Sequence, residues 1–241
     1  MTVRMPPPSP STHEHPALFW GVPEDAGRYK ESGNNLLDQT RDRSRFSPRR
    51  EQEWRVSRAL LQAVSCQGRV HSLSHSHGHA VVATAPAGWL LGVDLERVKP
   101  RRVHELAEWC CDDREQQQLQ RLPASAALRH FYRLWTFKEA MIKACDLEFP
   151  ADLKSCSLWQ DSHAGSADWQ WDLQPLNARG RPWFVAVHES EHWTCSLVFS
   201  PPRQQHTPPL PWRWLTPSSL PEGFSRPMLI SNPAPTATSR G

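Results

Sequence analysis

The sequence predicts an α+β fold of long helices and small antiparallel sheets, and three observations carry that reading. Short strand-like runs recur, with branched or aromatic residues and period-two alternation, at 80–85, 89–96, 155–159, 169–173, 183–188 and 193–199. The stretch FYRLWTFKEAMIK, Phe131 to Lys143, instead carries a helical repeat of apolar residues. Close turn signals, Pro86-Ala-Gly88 among them, join neighbouring strands without long crossovers, as antiparallel pairing requires.

Taken in order, residues 1–16 are mostly Pro, Ser, Thr and His, a composition that buries too little surface to order itself. A first strand is expected at Ala17 to Trp20. An arginine-rich segment, Arg41 to Arg58, leads into an amphipathic helix around Trp54 to Val64. It reads either as a solvated helix face or as an anion-binding patch of fork-shaped donors. AVVATA (80–85), the Pro86–Gly88 turn and Trp89 to Glu96 predict a hairpin. Helices follow over 103–111 and 112–122, the second opened by Asp112 as N-cap with Glu115 three residues on. Pro123 ends it, and the central helix is expected from about Ala126 to Ala144. The strands after Pro150, broken at Asp168 and Gly180, predict one small antiparallel sheet. Beyond Ser200 the chain is again proline-rich, with an edge strand expected at Trp212 to Leu215 and a loose end from Pro217. The division expected is therefore a tail (1–16), a first half (17–87), a second half (88–200) and a tail (201–241).

Composition narrows the function. With 28 basic and 25 acidic residues, the charge does not favour a nucleic-acid coat. The six cysteines form no C-x-x-C pair and read as buried thiols of a reducing compartment. The start, MTVRMPPPSPSTHEH, lacks the apolar core of a secretory leader, and the longest apolar run is too short to span a bilayer. A cytoplasmic, monomeric protein without membrane or nucleic-acid partners is expected.

The chemistry concentrates in two segments. On a strand, Asp94 and Glu96 of GVDLE share one side; on a helix, Glu139 and Lys143 sit one turn apart. Brought together, three carboxylates beside a lysine make an all-oxygen site suited to Mg²⁺, or Mn²⁺, with a phosphate-bearing ligand. Each piece alone is ordinary: D-x-E is more often a strand-end ion pair, and K-E-A-x-x-K an ordinary helix sequence with i,i+4 pairing. His71, His75, His77 and His79 alternate, so one strand would place all four on one face, a rival zinc or nickel site. No glycine-rich phosphate loop or serine–histidine–acid constellation is present.

The order S-H-S (74–76), a short strand, G-V-D-L-E (92–96), then F-Y-R-L-W-T-F-K-E-A-M-I-K (131–143) resembles the 4′-phosphopantetheinyl transferases of the surfactin-synthetase type. The resemblance runs from about Leu73 to Leu158 and takes in Pro100 and Glu115. It implies two similar α/β halves packed as a pseudo-dimer, each a small antiparallel sheet with a long helix, and the active site between them. It implies transfer of phosphopantetheine from coenzyme A to a serine of an apo acyl, polyketide or peptidyl carrier protein, releasing adenosine 3′,5′-bisphosphate. Asp94, Glu96 and Glu139 are similar to the magnesium ligands, and Lys143 to the lysine on the pyrophosphate. His75, with Ser74, resembles the contact to coenzyme A phosphate, and Glu139 or a metal-held water the base for the incoming serine. Arg50, Arg58 and then Arg45 are the arginines expected to grip the 3′-phosphate. The sequence departs from the pattern before S-H-S. Most relatives carry there a longer segment with a G-K-P or G-R-P turn that helps hold adenine, whereas only Ala63 to Ser72 fills the gap here. A shortened first half raises the alternative of a coenzyme A or carrier-protein binding module that has lost catalysis.

Overall fold

The structure, a computed structural model, describes residues 16–33, 38, 42–64, 66, 68–160, 169–174, 181–202, 224 and 228–232. Runs of strands and runs of helices succeed one another along the described chain, and the sheets are antiparallel, as in an α+β fold. A first sheet has the order β1-β3-β2, from β1 (Ala17–Gly21), β2 (Arg69–Ser76) and β3 (His79–Pro86). A second has the order β4-β8-β7-β9, from β4 (Leu90–Arg97), β7 (Trp183–Glu189), β8 (Trp193–Ser200) and β9 (Met228–Asn232). A separate ribbon pairs β5 (Cys156–Gln160) with β6 (Trp169–Leu173).

One apolar core lies between the two main sheets, joining Leu18, Trp20, Val81 and Ala83 of the first to Val93, Leu95 and Leu197 of the second. Alternation then sends Ala80 and Val82 to the outer face, where Val56 and Leu60 of helix α1 (Pro48–Ala63) cover them. The outer face of the second sheet is covered by the 22-residue α4 (Ala124–Cys145), against which α2 (Val103–Cys110) and α3 (Asp113–Arg121) pack in turn. The Asp112 capping box opens α3: its side chain accepts from Glu115 N while Glu115 accepts from Asp112 N, both at 2.9 Å. Glu115 and Lys138 then form an ion pair of 2.8 Å with neither side chain exposed. Lys138 also donates to the carbonyls of Leu153 and Cys156, and Glu115 Oε1 accepts from Leu158 N. A buried pair tolerates desolvation only when so fully hydrogen-bonded, and this one locks α3, α4 and β5 together.

Several expectations are corrected. β3 and β4 do not form a hairpin: β3 pairs with β1 and β2, and β4 with β8. The Pro86–Gly88 turn does form, with Gly88 at φ +83 and Trp89 N donating to Pro86 O, but it carries the chain from one sheet into the other. The hairpin is β2–β3, turned by His77 (φ 52) and Gly78 (φ 81), the paired positive φ values of a tight two-residue loop. The strands beyond Pro150 divide between two sheets rather than forming one. Helix α1 begins earlier than expected, because Ser47 accepts from Arg50 N as N-cap and Pro48 opens the first turn. A strand, β9, stands in the tail expected to be loose, pairing antiparallel with β7. The strand expected at 212–215 and all but Pro16 of the tail expected at 1–16 lie outside the described residues. Five of the six cysteines are buried and all are free thiols, Cys66 being half-buried. No helix among the described residues is long and apolar enough to cross a membrane.

Candidate active site

The site begins with a missing side chain. A Cβ on Gly92 would lie 1.8 Å from the carbonyl oxygen of Ala140, so only glycine lets β4 and α4 touch backbone to backbone. At that separation Val93 and Asp94, one and two residues beyond Gly92, meet Lys143, three beyond Ala140. Lys143 Nζ donates to Val93 O at 3.0 Å and to Asp94 Oδ1 at 2.8 Å, with Asp94 only 3% exposed. Glu139, one helical turn before Lys143, and Glu96, two residues after Asp94, complete the set predicted from the sequence.

The electrostatics of that set are those of crowded acids. Glu139 is pushed up to about 7, first by burial and then by the negative charge of Asp94, with Lys143 opposing. Glu96 is pushed up to about 7 by burial and by Asp94, while a hydrogen bond from Ser76 and the charge of Arg101 oppose the rise. Asp94 Oδ2 is buried without a hydrogen-bond partner among the described residues. Oxygen-only donors, a free buried carboxylate oxygen and mutual repulsion are the environment that a hard divalent cation relieves, so the residues fit Mg²⁺ by chemistry. By arrangement they are not closed on an ion: among the described residues no three His, Cys, Asp or Glu side chains stand as a metal-ligating group. Asp94 Oδ1 is engaged by Ser74 Oγ at 2.8 Å as well as by Lys143, and Glu96 Oε2 by Ser76 Oγ at 3.1 Å.

Comparison with known proteins bears on this region. Residues 90–197 match the family model of the 4′-phosphopantetheinyl transferase superfamily. No curated protein matches the chain. The superfamily match spans β4 to β8 and so contains Asp94, Glu96, Glu139 and Lys143, whereas β2 with Ser74 and His75 precedes it. It supports phosphopantetheine transfer in general terms, with a carrier protein and coenzyme A as the general partners.

The remaining candidates lie on β2, on α1 and in the turn before it. Ser74 is buried against Asp94, while His75, next in the strand, faces the opposite way, its side chain 44% exposed and Nδ1 3.9 Å from Glu53 of α1. Desolvation holds His75 below the ordinary histidine value; Glu53 opposes this, and Lys143 and Arg58 add to it. Arg58 is engaged by the buried Asp38, Nε to Oδ1 2.8 Å, so its charge is already matched. Arg50 is exposed and stacks over Phe46 at 4.6 Å, and Arg45 is exposed in the preceding turn. The four histidines do not share a face. His77 occupies the hairpin turn, and His79 crosses to β3, where it accepts from Trp20 Nε1 at 3.2 Å and packs against Trp193.

Sequence reasoning missed Ser76, Glu53, Arg101 and Tyr132. Tyr132 Oη accepts from Lys99 N at 3.2 Å and from Arg101 Nε at 3.5 Å, fixing the loop after Glu96 to α4. The equal spacing of S-x-S and D-x-E was the available signal for Ser76; nothing in the sequence marks the other three.

Proposed function

We propose that the protein is a 4′-phosphopantetheinyl transferase of the surfactin-synthetase type, Mg²⁺-dependent, moving phosphopantetheine from coenzyme A to a serine of an apo carrier protein. The observation that carries this reading is the meeting of Asp94, Glu96, Glu139 and Lys143 across the Gly92 contact, inside the segment that matches the superfamily. Two sheets, each with one long helix and meeting at β2 and β4, support the pseudo-dimer with its site between halves.

In this reading Asp94, Glu96 and Glu139 hold the cation. When bound, it neutralises the charge that builds on the diphosphate of coenzyme A as its bond breaks. Lys143 has three donors, two of them given to Val93 O and Asp94, which leaves one for a pyrophosphate oxygen. The carrier serine attacks the β-phosphorus, the bond to the bridging oxygen breaks, and adenosine 3′,5′-bisphosphate leaves. Glu139, or a water held by the cation, would take the serine proton as general base. His75 and the exposed Arg50 and Arg45 face the coenzyme phosphates. Beside the site, Trp109 (48% exposed) and Phe149 (52%) cluster with Trp135, one helical turn before Glu139, an apolar surface fitted to a helical carrier.

The test is to incubate the protein with coenzyme A, Mg²⁺ and an apo carrier and weigh the carrier. A gain of one phosphopantetheine, abolished in Asp94→Asn and Glu139→Gln, supports the proposal. Lys143→Ala is expected to raise the barrier by about 2–4 kcal/mol, as loss of a transition-state donor does. Normal turnover in these variants refutes the assignment, and tight coenzyme A binding without transfer points to the binding module instead.

A further inference from the structure

β2 and β4 are edge strands of different sheets, yet they run side by side in the same direction. Edge strands carry unpaired backbone groups that need cover. Here the cover comes from one row of side chains. Ser72, Ser74 and Ser76 alternate along β2, all buried, and each reaches β4. Val93 N donates to Ser72 Oγ at 3.0 Å and Arg97 N to Ser76 Oγ at 3.4 Å, so two hydroxyls stand in for the missing ladder. The other bonds go to side chains. Ser74 Oγ donates to Asp94 Oδ1 at 2.8 Å, and Ser76 Oγ to Glu96 Oε2 at 3.1 Å. Both serine–carboxylate pairs are twenty residues apart, since two strands of the same pitch in parallel keep a constant offset.

We propose that Ser74 and Ser76 are positioning residues for the metal-binding carboxylates, rather than contacts to coenzyme A. Each serine fixes one oxygen of its acid, which sets the carboxylate plane and leaves the second oxygen to the cation. For Asp94 the second oxygen is the buried, unpartnered Oδ2. Ser74 and Lys143 both point at Oδ1, so that oxygen carries two donors while Oδ2 carries none among the described residues. The carboxylates belong to the second sheet and the serines to the first, so the cation site is complete only when the two sheets are closed on each other. The alternation explains the S-H-S spacing: the serines turn to the metal ligands and the histidine between them turns to the opposite face, towards α1. This inference deepens the transferase reading and rests on it.

The experiment uses the full chain with Mn²⁺ as probe, its binding followed by electron paramagnetic resonance, with coenzyme A binding and the Mg²⁺ dependence of transfer measured in parallel. Groups that orient metal ligands typically change affinity by about 10–100-fold when removed. Ser74→Ala is expected to weaken Mn²⁺ binding by about tenfold and raise the half-saturating Mg²⁺ concentration by the same factor. The KM for coenzyme A at saturating Mg²⁺ should be unchanged, and Ser74→Thr, which restores the hydroxyl, should recover the metal affinity. Ser76→Ala should behave alike through Glu96. Should Ser74→Ala not fold, Ser76→Ala gives the same readout through Glu96. Loss of coenzyme A affinity with an unaltered metal requirement would overturn the inference, as would metal binding that neither serine variant changes. If the unmodified chain binds no Mn²⁺, the metal reading falls and this inference with it, whereas metal binding indifferent to both serines removes this inference alone.

Discussion

Gly92→Ala is the sharpest perturbation the structure offers. The added Cβ would sit 1.8 Å from Ala140 O, 2.8 Å from Ala140 C and 2.9 Å from Ala144 N, where ordinary contact begins near 3.4 Å. All three are backbone atoms, so no side chain can swing aside. Helix α4 would have to retreat from β4 by about 1.6 Å, the shortfall from that contact distance. It is not free to do so, being tied elsewhere by the Glu115–Lys138 pair and by Thr136 Oγ1, which lies 2.7 Å from Ser196 Oγ on β8. Overpacking against side chains costs about 1–3 kcal/mol; against a pinned backbone about 3 kcal/mol or more is expected. The same retreat opens the 2.8 Å Lys143–Asp94 contact and carries Glu139 away from Glu96. Misplacement of reacting groups by about 1 Å costs on the order of a hundredfold in rate, so transfer should fall at least that far. Urea denaturation followed by tryptophan fluorescence measures the first effect and mass analysis of an apo carrier the second. Gly27→Ala, where nothing lies within 4 Å of the added atom, serves as control and should match the parent in both. A Gly92→Ala variant within about 0.5 kcal/mol of the parent and fully active would refute the close-approach reasoning.

Other outcomes follow from the same structure. Glu115→Gln leaves the buried Lys138 ammonium without its counter-charge and should cost about 3 kcal/mol in the urea midpoint analysis, since breaking one side of a buried pair costs more than the pair contributes. His130 and His188, 3% and 1% exposed, are held by burial at about 4 and about 3, so the folded state refuses protons that the unfolded chain accepts below 6.5. Their contribution is therefore complete above pH 6.5 and lost as pH falls below it. Each should cost about 1.4 kcal/mol by pH 5.5, and His130→Gln should flatten that slope by one histidine's share. Trp109→Ala should raise the KM for the carrier about tenfold and leave the KM for coenzyme A unchanged, as loss of one exposed aromatic anchor does.

The parts legible in the sequence are those that short-range physics dictates. The run through Val93 and Leu95, buried without a break from Leu91 to Leu95, and the helical repeat from Phe131, buried over most of its circumference, both stand where their patterns put them. The capping box at Asp112 likewise fixed the start of α3. Partnership was not legible. Pro86-Ala-Gly88 and His77-Gly78 both carry turn chemistry, and nothing local says that the second closes a hairpin while the first crosses between sheets. The pairing of β4 with β8 joins segments far apart in the chain, and β9 returns from a proline-rich tail to reach β7. For the site, residue types and spacing were enough to expect Asp94, Glu96, Glu139 and Lys143 together, because strand and helix periods alone put each pair on one side, and the structure brings Lys143 onto Asp94 at 2.8 Å. The bond from Ser74 to Asp94 depends on two edge strands lying parallel, which no spacing within either segment reveals.

Anomalous scattering from a crystal of the full chain grown with Mn²⁺ and coenzyme A tests the central claim most directly. One manganese peak is expected between β4 and α4, about 2.0–2.2 Å from oxygens of Asp94, Glu96 and Glu139 and touching the coenzyme diphosphate. Coenzyme bound with no peak there, or manganese held instead by the histidines of the β2–β3 hairpin, would contradict it.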